Sequence, residues 1–130
     1  MITITATHNV FRLNGSLQHL NSGAGNPAVR IYGGTRPETA SGVPTSEMLT
    51  EIPLTQPAGV IENAALKLTQ SANGFIVATG APTWARFVNG DGDTCFDADA
   101  GFGAGDWEVE LDKATLYAGG EVMLMSAELT

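Results

Sequence analysis

From Pro82 to Thr130 the chain reads PTWARFVN (82–89), GDGD (90–93), TCFDADA (94–100), GFGAGD (101–106), WEVELD (107–112), KATLY (113–117), AGG (118–120) and EVMLMSAEL (121–129), closing on Thr130. Apolar or alternating runs this short, rich in aromatic and β-branched residues and bounded by Gly, Asn and Asp, are antiparallel strands joined by tight connections. In TWARFV, Trp84, Arg86 and Val88 alternate with Ala85 and Phe87, and Asn89-Gly90 follows as a hairpin-turn dipeptide. WEVELD sends Trp107, Val109 and Leu111 one way and Glu108, Glu110 and Asp112 the other, so one of its faces is wet. EVMLMSAEL differs. Met123, Met125, Ala127 and Leu129 are apolar on one face, and Val122 and Leu124 on the other. A strand apolar on both faces is either central in its sheet or covered by another subunit.

The first half adds one helix and more strands. In HNVFRLNGSLQHLN (8–21), Val10, Leu13, Leu17 and Leu20 recur at helical spacing, with Thr7 as the N-cap and Ser22-Gly23-Ala24-Gly25 as the stop. Such a helix is too short to stand alone and must dock its Leu face on a sheet. AVRIYGG (28–34), SEMLTEIPL (46–54) and GFIVATG (74–80) read as strands, and TRPETASGVP (35–44) as a loop. GVIENAALKLTQ (59–70) reads as extended, because Ala64, Leu66 and Leu68 alternate with Ala65, Lys67 and Thr69. Eight or nine short strands with one N-terminal helix over roughly 7–21 predict one mainly β domain spanning 1–130. Its form is an antiparallel β-sandwich or flattened barrel, jelly-roll-like.

Composition narrows the function. The 130 residues suffice for one core and not two. The formal charge is -8, concentrated in residues 66–130, and such a surface repels phosphate, so nucleic acid is not an expected partner. MITITATHNVF lacks the basic start and continuous apolar core of a signal peptide, and no window has the roughly 20 apolar residues of a membrane span. A single cysteine, Cys95, excludes an internal disulfide and reads as a small buried apolar residue.

No reactive constellation interrupts the strand pattern. Asn89-Gly90-Asp91-Gly92-Asp93, with Asp97 and Asp99 beyond, opens like a calcium loop, but Ala100 stands where the twelfth-position Glu belongs, so the loop reads as a solvated hairpin turn. His8 and His19 are three helical turns apart, about 16 Å, too far to share a metal. Ser16 beside His19 has no nucleophile motif around it. Asp97 and Asp99 share a strand face like a glycosidase pair, but read as solvent-facing charge without burial to raise one of them. Trp84, Trp107, Phe87 and Tyr117 offer material for a sugar-stacking platform, though aromatics at alternating strand positions more often fill a core. No catalytic, cofactor-binding or metal-ligating residue is expected.

The succession Gly23-Ala24-Gly25-Asn26-Pro27-Ala28-Val29-Arg30-Ile31-Tyr32-Gly33-Gly34-Thr35-Arg36-Pro37, then Thr79-Gly80-Ala81-Pro82-Thr83-Trp84-Ala85-Arg86-Phe87 with Asn89-Gly90-Asp91-Gly92-Asp93, then Gly105-Asp106-Trp107-Glu108-Val109-Glu110-Leu111 and Ala118-Gly119-Gly120-Glu121-Val122, resembles a family of small structural proteins of tailed bacteriophages and prophages. The chain departs from it in Asp97-Ala98-Asp99-Ala100-Gly101 and in a Met-rich closing strand. The resemblance implies a non-enzymatic virion protein of the head or tail region, assembled in the host bacterial cytoplasm, with other virion proteins as partners; it brings no catalytic residues. A carbohydrate- or receptor-binding β-sandwich module is the alternative. The closing strand further predicts a homo-oligomer, with Val122, Met123, Leu124, Met125 and Leu129 at the interface, because an apolar terminal strand at a sheet edge invites pairing with another chain.

Overall fold

The computed structural model describes residues 1–130. Helix α1 (Ala6–Leu20) is capped by Thr5, whose Oγ1 accepts the His8 N–H at 3.1 Å. The cap therefore lies two residues before the expected Thr7. Both threonines can cap, and the bond from the Asn9 N–H to the Thr5 carbonyl makes the earlier turn helical. Leu13 and Leu20 are buried and Leu17 packs against them. At the far end Asn21 pins the helix to the sheet: its Oδ1 accepts the Ala58 N–H at 2.8 Å, and its carbonyl accepts the Gln56 amide.

Nine strands follow: β1 (Ala28–Tyr32), β2 (Met48–Glu62), β3 (Ala65–Gln70), β4 (Gly74–Ile76), β5 (Trp84–Val88), β6 (Thr94–Phe102), β7 (Val109–Leu111), β8 (Glu121–Val122) and β9 (Leu124–Leu129). Seven of them close into a flattened barrel in the order β1-β5-β6-β7-β9-β3-β2 and back to β1. β2 is the spine. It pairs with β1 along one edge, and with β4 at Thr50–Glu51 and β3 from Leu54 to Glu62 along the other. Gly59 lets β3 come close, since a Cβ there would stand 2.0 Å from the Lys67 carbonyl oxygen. β4 and β8 form a flap outside the ring. The short β8 edge is blunted by Asp112, which accepts the Met123 N–H at 2.9 Å, and by Lys113, which caps the Glu121 carbonyl.

Every pairing in the ring is antiparallel except β6–β7, which is parallel. A closed ring of seven strands cannot alternate direction all the way round, so one parallel neighbour is obligatory. Residues 103–108 make that reversal. They double back outside the barrel, with Trp107 laid against the Cα atoms of Gly101 and Gly105, where any Cβ would collide with its ring.

Two expectations need correction. First, 121–129 is not one regular strand. Val109 pairs with Ala127 and Glu110 with Ser126, but Leu111 pairs with Leu124, so Met125 is an extra, bulged residue. The bulge shifts the alternation by one. Val122, Leu124 and Ala127 all face the core, and Met123 and Met125 face outward. The strand is apolar on both faces in the sequence because the chain changes phase within it. Second, β9 lies within the closed ring between β7 and β3, not at a sheet edge. Val122 and Leu124 are thereby core residues, and of the expected interface set only Met123 and Met125 are exposed.

The stretch 59–70 is extended as expected, but as two strands around a turn at Asn63-Ala64, both with positive φ (52° and 60°). That is the backbone of a type I′ hairpin, which favours Asn-Gly. Ala64 thus holds a left-handed conformation that costs an L residue about 1 kcal/mol. Ala64→Gly is expected to stabilise the protein by about 0.5–1 kcal/mol, net of the entropy glycine adds to the unfolded chain. Urea denaturation checks this; an unchanged or lowered midpoint contradicts it.

Candidate functional site

Alternation along β5 divides its side chains between two layers. Ala85 and Phe87 point into the barrel. Trp84 and Arg86 point outward, yet both are buried, because the loop of residues 33–47 laps over them. Tyr32 stacks on Trp84 with ring centroids 4.3 Å apart. The Trp84 indole N–H donates to the Gly33 carbonyl at 3.1 Å, and the Ser46 hydroxyl donates to the same oxygen at 2.6 Å. Arg86 is the centre of this layer. It is 5% exposed, grips Asp97 with two nitrogens at 2.7 and 2.9 Å, and donates a third bond to the Gly42 carbonyl. Its guanidinium also lies 5.4 Å from the Trp84 ring centroid. The hydrogen bonds to Asp97 hold the arginine more firmly protonated than usual, against the opposing effect of burial.

The acidic residues singled out in the sequence are dispersed. Asp97 is not solvent-facing: its side chain is 6% exposed and fully engaged with Arg86. The correction follows from β5–β6 register, which sets Arg86 directly opposite Asp97, and from the loop that covers both. Asp99 pairs at the surface with Arg36. Asp91 accepts the Ala24 N–H, while Asn89 Oδ1 accepts the N–H groups of Asp91 and Asp93, so these two side chains bind backbone N–H groups. No three His, Cys, Asp or Glu side chains gather as a metal site. The aromatics do not assemble either. Trp84 lies under the loop, Phe87 in the core against Phe96, Trp107 on its glycines, and Tyr117 alone is exposed.

The structure draws attention instead to a break in the barrel wall. β7 is three residues long and pairs only with Ala100–Phe102 of β6. Below that level Thr94–Asp99 of β6 has a ladder partner in β5 alone, and Glu128–Leu129 of β9 has one in β3 alone. At that level the two strands share no neighbour, because β7 ends above them. Between them is a cleft of about 230 Å³ floored by Leu68, Phe87 and Ala98, with Phe96 and Leu129 at its mouth and Glu108 and Glu128 on its rim. Glu108 fixes the upper end: its carboxylate accepts the Asp99 N–H at 3.0 Å and its carbonyl accepts the Glu128 N–H at 3.1 Å.

The cleft runs into a groove of about 510 Å³ beneath α1, bordered by Arg12, Ser16, His19 and Cys95. Cys95 is half-buried, and its thiol is pushed up to about 11, mainly by burial and then by Asp93, with a backbone hydrogen bond from Asn89 partly offsetting this. Of the residues expected at an interface, Leu129 lines this cleft. The rest of the cleft was invisible in the sequence: WEVELD reads as three core-facing residues, whereas the structure uses only Val109 and Leu111 as wall and lays Trp107 over Gly101 and Gly105.

Removing one partner of a buried ion pair leaves the other charge stranded. Asp97→Ala is expected to destabilise the protein by about 3–5 kcal/mol, and the double variant Arg86→Met/Asp97→Leu to recover most of that loss. Guanidinium denaturation of the three proteins decides it; a single variant within 1 kcal/mol of the parent contradicts the structural role.

No family model, curated protein or solved structure matches this chain, so the functional reading rests on the residues and the geometry above.

Proposed function

We propose that this chain is a non-enzymatic structural protein of a tailed-phage or prophage virion that works by self-association or by docking on other virion proteins. The observation that carries the reading is a set of large apolar side chains left exposed on the outer surface of the barrel. On the β4 flap, Phe75 is 60% and Val77 54% exposed. Phe75 is in register with Glu121 and Gly80 with Leu116, which sets Tyr117, 66% exposed, on the same outer face as Val77. Met123 and Met125 add adaptable apolar side chains beyond β8. Single exposed apolar residues are ordinary, but aromatic and Met side chains grouped on one sheet face mark a docking surface.

The charge of -8 favours specific over indiscriminate association. The resemblance to small virion proteins, carried by Arg30-Ile31-Tyr32-Gly33-Gly34-Thr35-Arg36-Pro37 and Trp84-Ala85-Arg86-Phe87, supports the same reading, because these are the residues that build the buried outer layer. The dispersal of the aromatics favours a docking role over sugar binding.

The test is compositional. Tailed particles from a host carrying this gene, banded on a density gradient and analysed by quantitative mass spectrometry, are expected to contain the protein at a fixed copy number. Recovery only as free protein, with none in the particle band, contradicts the proposal.

A further inference from the structure

Helix α1 turns one stripe of residues toward the groove beneath it. Arg12, Gly15, Ser16 and His19 follow one another at spacings of three and four, beside the buried Leu13 and Leu20, and all four line the groove. Phe96 and Leu129 belong both to this groove and to the cleft between β6 and β9. The two therefore form one depression, with a polar wall on α1 and an apolar floor of Leu68, Phe87 and Ala98.

Two features of the stripe have no explanation within the molecule. The first is Arg12. Of the six lysines and arginines, Arg30, Arg36, Lys67 and Arg86 each pair with a carboxylate, and Lys113 bonds the Glu121 carbonyl. Arg12 has only the side-chain oxygen of Asn9, 3.0 Å from one of its terminal nitrogens. In a chain with 14 acids and a charge of -8 it stands without an anion, and the helix that carries it contains no acidic residue. Ser16 and His19, one and two turns further on, border the same space.

The second is Gly15. Inside a helix, glycine is about 1 kcal/mol less favourable than alanine. Gly59 and Gly101 each admit a crowding neighbour, the Lys67 backbone and the Trp107 ring. At Gly15 a Cβ would meet nothing within 4 Å, so this glycine makes room for no part of its own chain. The space it leaves open is on the groove.

The chemistry of an occupant follows from these walls. Arg12, Ser16 and His19 offer donors to an anion, and a guanidinium matches a planar carboxylate with two parallel bonds. The Cys95 thiol is pushed up to about 11, so it adds no negative charge to the groove at neutral pH. At about 30 Å³ for each group the size of a water, the cleft of 230 Å³ takes about eight apolar groups. Glu108 and Glu128 on the far rim repel an anion, which turns the charged end of a ligand toward α1.

We propose that the depression beneath α1 binds an apolar monocarboxylate of the medium-chain fatty-acid class. The carboxylate sits on Arg12, Ser16 and His19, and the hydrocarbon passes over Phe96 and Leu129 onto the floor of the cleft. This goes beyond the docking role, because the site shares no residue with the exposed apolar face of the β4 flap.

Octanoate is the probe, with octan-1-ol and octylammonium as uncharged and oppositely charged controls, each titrated calorimetrically into the protein. Octanoate is expected to bind the parent saturably at one site and at least fivefold more tightly than either control. Arg12→Gln/His19→Gln should weaken octanoate roughly fivefold and leave octan-1-ol unchanged, since exposed charge contacts of this kind are worth up to about that factor. Gly15→Leu should melt at or above the temperature of the parent, because it improves the helix and has open space to fill, yet bind octanoate roughly tenfold or more weakly. Four results would each overturn the proposal: no saturable octanoate binding, parental affinity in Gly15→Leu, parental affinity in Arg12→Gln/His19→Gln, or tighter binding of octylammonium, which would assign the cleft to a cation at Glu108 and Glu128.

Discussion

Ring closure with an odd number of strands is the constraint from which the rest of this architecture follows. Seven strands force one parallel pair, and a parallel pair cannot be joined by a hairpin. The chain meets the requirement with a short detour, a six-residue return outside the wall (103–108) seated on Gly101 and Gly105 by Trp107. A return that short re-enters only at Val109, so β7 covers the upper third of the nine-residue β6 and no more. The cleft is the geometric remainder of that detour. The stretch of β6 below Asp99 that β7 does not reach follows from topology, not from a local irregularity.

The outer layer gives that remainder a defined shape. β6 is held on its other edge by β5 through the bidentate Arg86–Asp97 pair outside and the stacked Phe87 and Phe96 rings inside, 4.7 Å apart. The loop of residues 33–47 then fastens over Arg86 and Trp84 through the Gly33 and Gly42 carbonyls. A strand secured in this way holds Phe96 and Ala98 in place as part of the cleft wall. The buried ion pair therefore fixes the strand that bounds the cleft on one side.

The sequence made the strands legible because turns and alternation are local. TWARFV separated Trp84 and Arg86 from Ala85 and Phe87 correctly, and WEVELD placed Val109 and Leu111 inward, since each depends only on period-two geometry; Trp107, expected on the same face, lies instead in the return before β7 with its ring on Gly101 and Gly105. What depended on pairing was not legible. Asp97 looked solvent-facing because its partner Arg86 is eleven residues away and its cover, Gly42, is farther still. The closing segment looked apolar on both faces because a bulge at Met125 leaves no mark in composition. Its place inside the ring, and hence the loss of Val122 and Leu124 as interface residues, required the strand order. The cleft is an absence of pairing, which no single segment can announce, and of its lining residues only Leu129 was expected at an interface.

The reading of this chain as a docking protein stands or falls with the exposed apolar side chains of Phe75 and Tyr117 on the β4–β8 side of the barrel. Incorporation of Phe75→Asp/Tyr117→Asp into banded particles, measured beside the parent, tests it most directly. A variant that melts where the parent does but is depleted roughly tenfold or more from the particle band is the predicted result. Incorporation at the parent's copy number would contradict it.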